Sequence, residues 1–303
     1  MLDGEWLLEY PGTAFSIGGW DPVANPFRLP NQIGLRGAPT VGDVNLATDD
    51  TDNPREDGQS FGADYRGGRA VTFSIACRGS SEQEALELAA GVATAWRGDT
   101  IRWTPGAYAT LSTRNAGRER LLYGRPRRFV PNDDTRKTGL VTIECDFQAM
   151  DDRFYDREDT GISLGFVAPY SGAGLSSPLV SPLTSTPSNS SPGAIVVGGD
   201  LPVWPVISIT GPITNPVVAV SGLYTLALQM TIIQGATVTI DTRPGRRSVT
   251  NRSGASFRGR LTRDSRLDRA ALSPGAYTVS LSGIDNTGLS SMQFAWRHAY
   301  SAL

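Results

Sequence analysis

Apolar side chains in this chain recur at every second residue, in short runs cut by turn residues. Val71, Phe73, Ile75 and Cys77 form one such set; Val141, Ile143, Cys145 and Phe147 form another. Leu226, Leu228, Met230 and Ile232 repeat the pattern, as do Val238 with Ile240, Val279 with Leu281, and Met292, Phe294 and Trp296. Successive side chains of a strand point to opposite faces, so each run buries one face only. The 34 glycines and 20 prolines mark the ends of the runs, as at Gly211-Pro212, Asn215-Pro216, Pro244-Gly245 and Pro274-Gly275. The pattern predicts a mainly β protein. At 303 residues the chain has room for about two domains of roughly 100–200 residues.

The pattern divides the chain at a change of composition. Residues 1–160 predict a β-rich domain with one helix at about 81–97. Ser81 lies three residues before Glu84, the spacing of a capping box, and Ala85, Leu88, Ala89, Val92 and Trp96 follow at helical spacing until Gly98. Strands are predicted at 70–77, 101–103, 120–123, 127–130 and 139–148, with residues 43–64 a polar acidic loop. Residues 171–193 carry no charge and are mostly Ser, Gly, Pro, Thr, Leu and Ala. The segment 161–192 therefore reads as a linker or long excursion. Residues 193–303 hold a series of short strands, among them 203–209, 217–220, 223–233, 256–261 and 291–298, which predicts an antiparallel β-sandwich.

Charge is nearly balanced, at −2 overall, but not evenly placed. Residues 1–157 carry −5 and residues 158–303 carry +3. Opposite signs could guide head-to-tail packing of copies, or reflect ordinary surface variation. Of the 28 basic residues only Lys137 is lysine. That skew points to coding bias in a GC-rich genome, not to a function. Cys77 and Cys145 sit in apolar runs without a CxxC or Cys/His cluster, so they read as small buried residues, not zinc ligands, and nothing suggests an oxidising compartment. The first residues lack a basic start and apolar run, and no stretch of about 18 apolar residues occurs. The expectation is a chain made and kept in the cytosol, or packed into a particle there.

Catalytic groups are scarce. His298 is the sole histidine, so any Ser-His-Asp or Cys-His mechanism must use it, yet it ends a strand with apolar alternation. Asp49/Asp50, Asp133/Asp134 and Asp151/Asp152 are sequence neighbours in turn-like stretches and read as solvated loops, not facing carboxylates. Asp50-Thr51-Asp52-Asn53 opens like a calcium loop, but Pro54 and Arg55 stand where an EF-hand needs a ligand and glycine. A weak nonspecific calcium site stays open there. No phosphate-binding glycine loop appears, and no cofactor is expected. Arg243, Arg246, Arg247, Arg252, Arg258, Arg260, Arg263, Arg266 and Arg269 form a basic run with only Phe257 as an aromatic neighbour. Single-stranded nucleic acid would want more stacking rings, so an acidic protein surface or a plain solvated face fits better.

The order of elements and several phrases resemble the distal tail proteins of long-tailed, siphovirus-type bacteriophages, especially those of actinobacterial hosts. The phrases are Gly34-Leu35-Arg36-Gly37, Tyr65-Arg66-Gly67-Gly68-Arg69 and Cys145-Asp146-Phe147-Gln148-Ala149-Met150-Asp151-Asp152-Arg153-Phe154-Tyr155 in the first part. In the second they are Pro202 through Pro212, Asn215-Pro216, Ile240-Asp241-Thr242 and Leu272-Ser273-Pro274-Gly275. Asp152 and Arg153 stand where the family usually has Asp-Pro. The resemblance implies a structural virion protein, not an enzyme. It implies a ring, usually a hexamer, at the distal end of the tail tube, built by the N-terminal domain and assembled in the host cytoplasm. Its partners would be the tail tube protein and tail-tip, fibre or receptor-binding proteins, with DNA passing through the lumen unbound. It also implies a galectin-like C-terminal sandwich. A carbohydrate-binding adhesion module is the alternative. Trp204, Tyr277, Arg243 and Arg247 are the candidate partner or glycan contacts, while alternation assigns Trp296 to the core.

Overall fold

The computed structural model describes residue 1 and residues 3–18, 32–166 and 191–303. The chain is mostly β and forms two compact units, Met1–Arg157 with Ser301–Leu303, and Glu158–Tyr300.

In the first unit the strands are β1 (Trp6–Tyr10), β2 (Thr13–Ile17), β3 (Gln32–Leu35), β4 (Thr40–Ala47), β5 (Thr51–Asp52), β6 (Gln59–Ser60) and β7 (Tyr65–Arg78). After helices α1 (Glu82–Arg97) and α2 (Asp99–Arg102) come β8 (Ala109–Asn115), β9 (Arg118–Asn132), β10 (Leu140–Ala149) and β11 (Phe154–Asp156). The sheet runs β2-β1-β8-β9-β10-β7-β3, with β4 also on β7 and β11 on β9. Val71, Phe73, Ile75, Val141, Ile143, Cys145 and Phe147 are buried on one face, as their alternation requires. Helix α1 covers that face. Trp96 meets Phe73 edge-on at 5.8 Å, Phe73 meets Trp6 at 5.2 Å, and the Trp96 indole N–H donates to the Asp146 carbonyl at 3.2 Å. Each large side chain so buried contributes about 1.5–3 kcal/mol.

Ser81 caps α1 by accepting the Glu84 N–H at 3.2 Å. The return bond of the capping box goes one residue further back: the Glu84 carboxylate accepts the Ser80 N–H at 2.8 Å and the Ser80 hydroxyl. The strand expected at 101–103 is instead the short helix α2. Gly98 enters the left-handed region at φ 58°, and its carbonyl accepts from both Ile101 and Arg102, which rewinds the chain. The strands expected at 120–123 and 127–130 are one strand, β9. Pro126 lies within it, opposite Phe147 where the register shifts, and so withholds no N–H from a regular ladder.

Burial pushes the Cys77 thiol up to about 12, and burial pushes Cys145 up as well. Because the thiolate is the reactive form, neither should react with a thiol reagent in the folded protein, and both should label on denaturation. Stoichiometric labelling without denaturant, at a rate near that of free cysteine, would contradict this burial.

The second unit contains β12 (Thr160–Gly165), β13 (Ser191–Val197), β14 (Val206–Thr210), β15 (Ile213–Val220), β16 (Tyr224–Ala227), β17 (Thr231–Ile232), β18 (Thr237–Asp241), β19 (Ser248–Asn251), β20 (Gly275–Ile284) and β21 (Ser291–Trp296). One antiparallel sheet has the order β12-β21-β14-β18-β19; the other has β13-β20-β15-β16, with β17 on β15. The sheets face each other across a core that includes Ile207, Ile209, Ile240, Val279, Leu281 and Phe294. Contact is close enough that a Cβ on Gly193 would lie 2.6 Å from Leu164 Cδ2.

Four expectations change here. The segment expected to link the domains from 161 begins as β12, paired with β21 along its whole length, while residues 167–190 lie outside the described residues. The single strand expected at 223–233 is two, β16 and β17. The strand expected at 256–261 is a loop with one tight helical turn, Arg258–Arg260. Asn215-Pro216, a turn signal in sequence, lies inside β15, where Asn215 takes φ 50° and the ladder shifts register between Thr214 and Val217. A bulge supplies the irregularity that both residues need.

Candidate interaction surfaces

Three regions concentrate polar and aromatic groups outside the two apolar cores. The first is a corner in the N-terminal unit, where two of the sequence phrases meet. A Cβ on Gly68 would lie 1.9 Å from the Ala149 carbonyl oxygen, and one on Gly124 would lie 2.1 Å from the Gln148 carbonyl oxygen. The end of β10 is thus gripped from β7 and from β9. Arg69 donates to the Asp152 carbonyl at 2.6 Å, and its guanidinium lies over the Phe154 ring at 4.6 Å. The Tyr155 hydroxyl donates to Asp151 Oδ2 at 2.6 Å, and the Tyr108, Tyr123 and Tyr155 rings follow one another edge-on at 5.2 and 5.3 Å.

Burial raises the Asp151 carboxyl above its ordinary range, against the lowering effect of the Tyr155 hydroxyl and the Arg153 N–H. Asp152 is buried, with Arg66 at 3.4 Å and Arg153 at 3.6 Å. Asp151/Asp152 is therefore no solvated pair. Its carboxylates lock a turn, whereas Asp49/Asp50 and Asp133/Asp134 are exposed as expected.

The second region is an arm that leaves this unit. β4 and the start of β7 pair as a ribbon, Leu46 opposite Arg66 and Ala47 opposite Tyr65, and the β5–β6 hairpin forms the tip. Within the stretch expected as a loop at 43–64, residues 43–47, 51–52 and 59–60 are strand, and the rest is turn or irregular backbone. Between Asp43 and Arg66 no residue is buried. Phe61 is 86% exposed and Tyr65 67%. The calcium-like stretch uses its oxygens within the hairpin: Asp52 accepts from Gln59, Asn53 from Ser60, and Asp50 from the Gly62 N–H. Among the described residues no cluster of three or more His, Cys, Asp or Glu could hold a metal.

The third region is on the sandwich. The chain from Arg252 to Arg269 leaves β19, the edge of one sheet, and reaches β16, the edge of the other. Phe257 N–H donates to Val249 O, Gln229 N–H to Arg260 O, Thr262 N–H to Ala227 O, and Ala227 N–H to the Ser265 hydroxyl. This strap covers the open side of the sandwich, which protects two edges from stray pairing. Its arginines therefore point outward. Arg252, Arg258, Arg260, Arg263 and Arg269 are exposed, and among the described residues no carboxylate pairs with them. Arg266 pairs with Asp268 at 3.3 Å.

Trp204, Tyr277, Arg243 and Arg247 come to one end of the sandwich, beside the start of β14 and β20 and the end of β18. They are not free there. Arg243 folds back on Asp241 with bonds of 2.6–3.2 Å, the Tyr277 hydroxyl donates to Ser273 O at 2.9 Å, and Trp204 and Arg247 are half-buried. Trp296 is in the core, edge-on to Phe294. His298 accepts the Gly198 N–H on Nδ1 at 2.9 Å and meets Trp296 edge-on, which holds a strand end in place.

No family model matches the chain, and no curated protein matches it. Among solved structures it is similar to the SPP1 Dit protein, described as a paradigm of the hub adsorption apparatus in Gram-positive infecting phages. Identity is 10%, with 96% of this chain and 98% of that one covered at a TM-score of 0.53. The two share a fold. A chain of the phage P2 baseplate, in its activated conformation with Ca, matches at 12% identity, with 97% of each chain covered and a TM-score of 0.51; the same baseplate with Sr matches equally. The likeness spans both units, not a single common domain.

Sequence alone does not reveal the arm and the strap as surfaces. The acidic run at 49–57 and the arginine run are visible signals, but only the strand pairing shows that one forms a projecting ribbon and the other bridges two sheet edges.

Proposed function

We propose that this chain is a structural hub protein of a phage tail. Copies close into a ring, a hexamer in this reading, at the distal end of the tail tube; the N-terminal unit builds the ring, and the sandwich, of galectin-like type, receives tail-tip, fibre or receptor-binding proteins. The observation that carries this reading is the end-to-end likeness in fold to the SPP1 hub protein over 96% of the chain. Fold alone does not fix function, and the arm supplies independent support. A two-stranded ribbon without a buried residue is marginal by itself, and large exposed rings such as Phe61 and Tyr65 mark contact surfaces. A ring requires heterologous contacts, one patch meeting a different patch on the next copy, and a projecting arm provides one.

A gold label on a C-terminal tag at Leu303 locates the protein in virions of the phage that encodes it. The label is expected at the tail end remote from the capsid. Label along the tube, on the capsid or absent from particles would overturn the reading.

A further inference from the structure

The strap and the arm are complementary in chemistry, and each lacks a partner of its own kind. Residues 252–269 carry six arginines against Asp264 and Asp268. Residues 49–64 carry Asp49, Asp50, Asp52, Glu56, Asp57 and Asp64 against Arg55 alone. All six acidic residues are exposed, and among the described residues none has a cationic partner. Guanidinium groups recognise two features, carboxylates through paired N–H bonds and aromatic faces through stacking. The arm presents both, because Phe61 and Tyr65 stand exposed among its carboxylates.

We propose that the acidic arm of one copy lies along the arginine strap of the next copy, as a clasp from ring to sandwich. This rests on the hub reading and names one of its contacts. The strap is the receiving surface: its backbone is fixed to both sheet edges, so its arginines are displayed from a rigid frame at little further loss of backbone freedom. The opposing charges are exposed in the separate copy, so the contact steers association and is sensitive to salt. Two features speak against nucleic acid as the occupant. Phe257 is the only aromatic residue of the strap, and Asp264 and Asp268 interrupt the positive surface.

A charge swap tests the clasp in the full chain. Strap variant R258E/R260E/R263E and arm variant D49R/E56R/D57R, which spares the Asp50 and Asp52 bonds of the hairpin, are purified separately, with thermal melting to show that each remains folded. Oligomer mass and negative-stain images are recorded in 50 and 500 mM NaCl. Each variant alone is expected to raise the dissociation constant of the assembly at least 100-fold at low salt, and the milder R258Q/R263Q about 10-fold. Combining both sets in one chain is expected to restore assembly to within about 5-fold of the unaltered protein. Rings that persist in the strap variant, or a combined chain that stays dissociated, overturn the clasp. If the strap variant keeps its rings but loses binding to polyphosphate, the strap serves a polyanion and the clasp is likewise overturned. Either result leaves the hub reading intact. An unaltered chain that never assembles defeats the hub reading itself.

Discussion

Gly124→Ala is expected to destabilise the N-terminal unit by about 3 kcal/mol or more, the upper range for forcing an extra carbon into packed structure. The reason is backbone approach, not conformational freedom. The added Cβ would lie 2.1 Å from the Gln148 carbonyl oxygen, 2.6 Å from Phe147 Cε1 and 2.8 Å from Ala149 Cα. None of these can give way cheaply, since Gly124 pairs with Ala109 on one side and Ala149 on the other. Melting should show a fall in Tm of roughly 6–12 °C. Gly68→Ala presses on the Ala149 carbonyl from β7 and should behave alike. Gly91 gives the control. It lies in α1, where an added methyl group would meet nothing within 4 Å, so Gly91→Ala should stabilise by about 0.5–1 kcal/mol. A Gly124→Ala protein as stable as the original would contradict the close approach of β9 and β10.

Asp285→Ala should cost about 2–3 kcal/mol in the sandwich, because it removes a buried charged acceptor and leaves the donors of buried Ser290 without a partner. The residue is 3% exposed. Its carboxylate accepts the Thr287 N–H at 2.7 Å, the Thr287 hydroxyl at 2.6 Å, the Ser290 N–H at 3.0 Å and the Ser290 hydroxyl at 2.7 Å. These bonds shape the β20–β21 loop. Burial alone would raise the carboxyl pKa, but the four bonds outweigh it and hold the group well below its ordinary range. A depressed folded pKa gives stability that is fully present above the unfolded value of about 4 and is lost as pH falls from there toward the folded value. The gap between the original protein and Asp285→Ala should therefore be constant at neutral pH and narrow below about pH 4. A gap that widens on acidification would show that Asp285 does not stabilise as an anion.

The strand-rich character, the helix and the sandwich are legible because burial on one face writes a period into the sequence. Val71 to Cys77 and Val141 to Phe147 need no tertiary information to read. The misreadings fall where tertiary contacts outrank local pattern. Ile101 looks like a strand residue but follows a left-handed Gly98 that winds α2. Asn215-Pro216 looks like a turn but occupies a bulge that β20 and β16 hold in place. Asp151 and Asp152 look solvated, and only the folded corner brings Tyr155, Arg66 and Arg153 to them. Residue type alone selects Trp204, Tyr277, Arg243 and Arg247 as contacts. Their engagement with Asp241 and Ser273, or their partial burial, depends on strand ends that meet only in three dimensions.

Self-assembly of the purified full-length chain tests the central claim most directly. Negative-stain images and solution mass at tens of micromolar protein are expected to show closed rings of uniform copy number. A monodisperse monomer across that concentration range, in low and high salt alike, would contradict it.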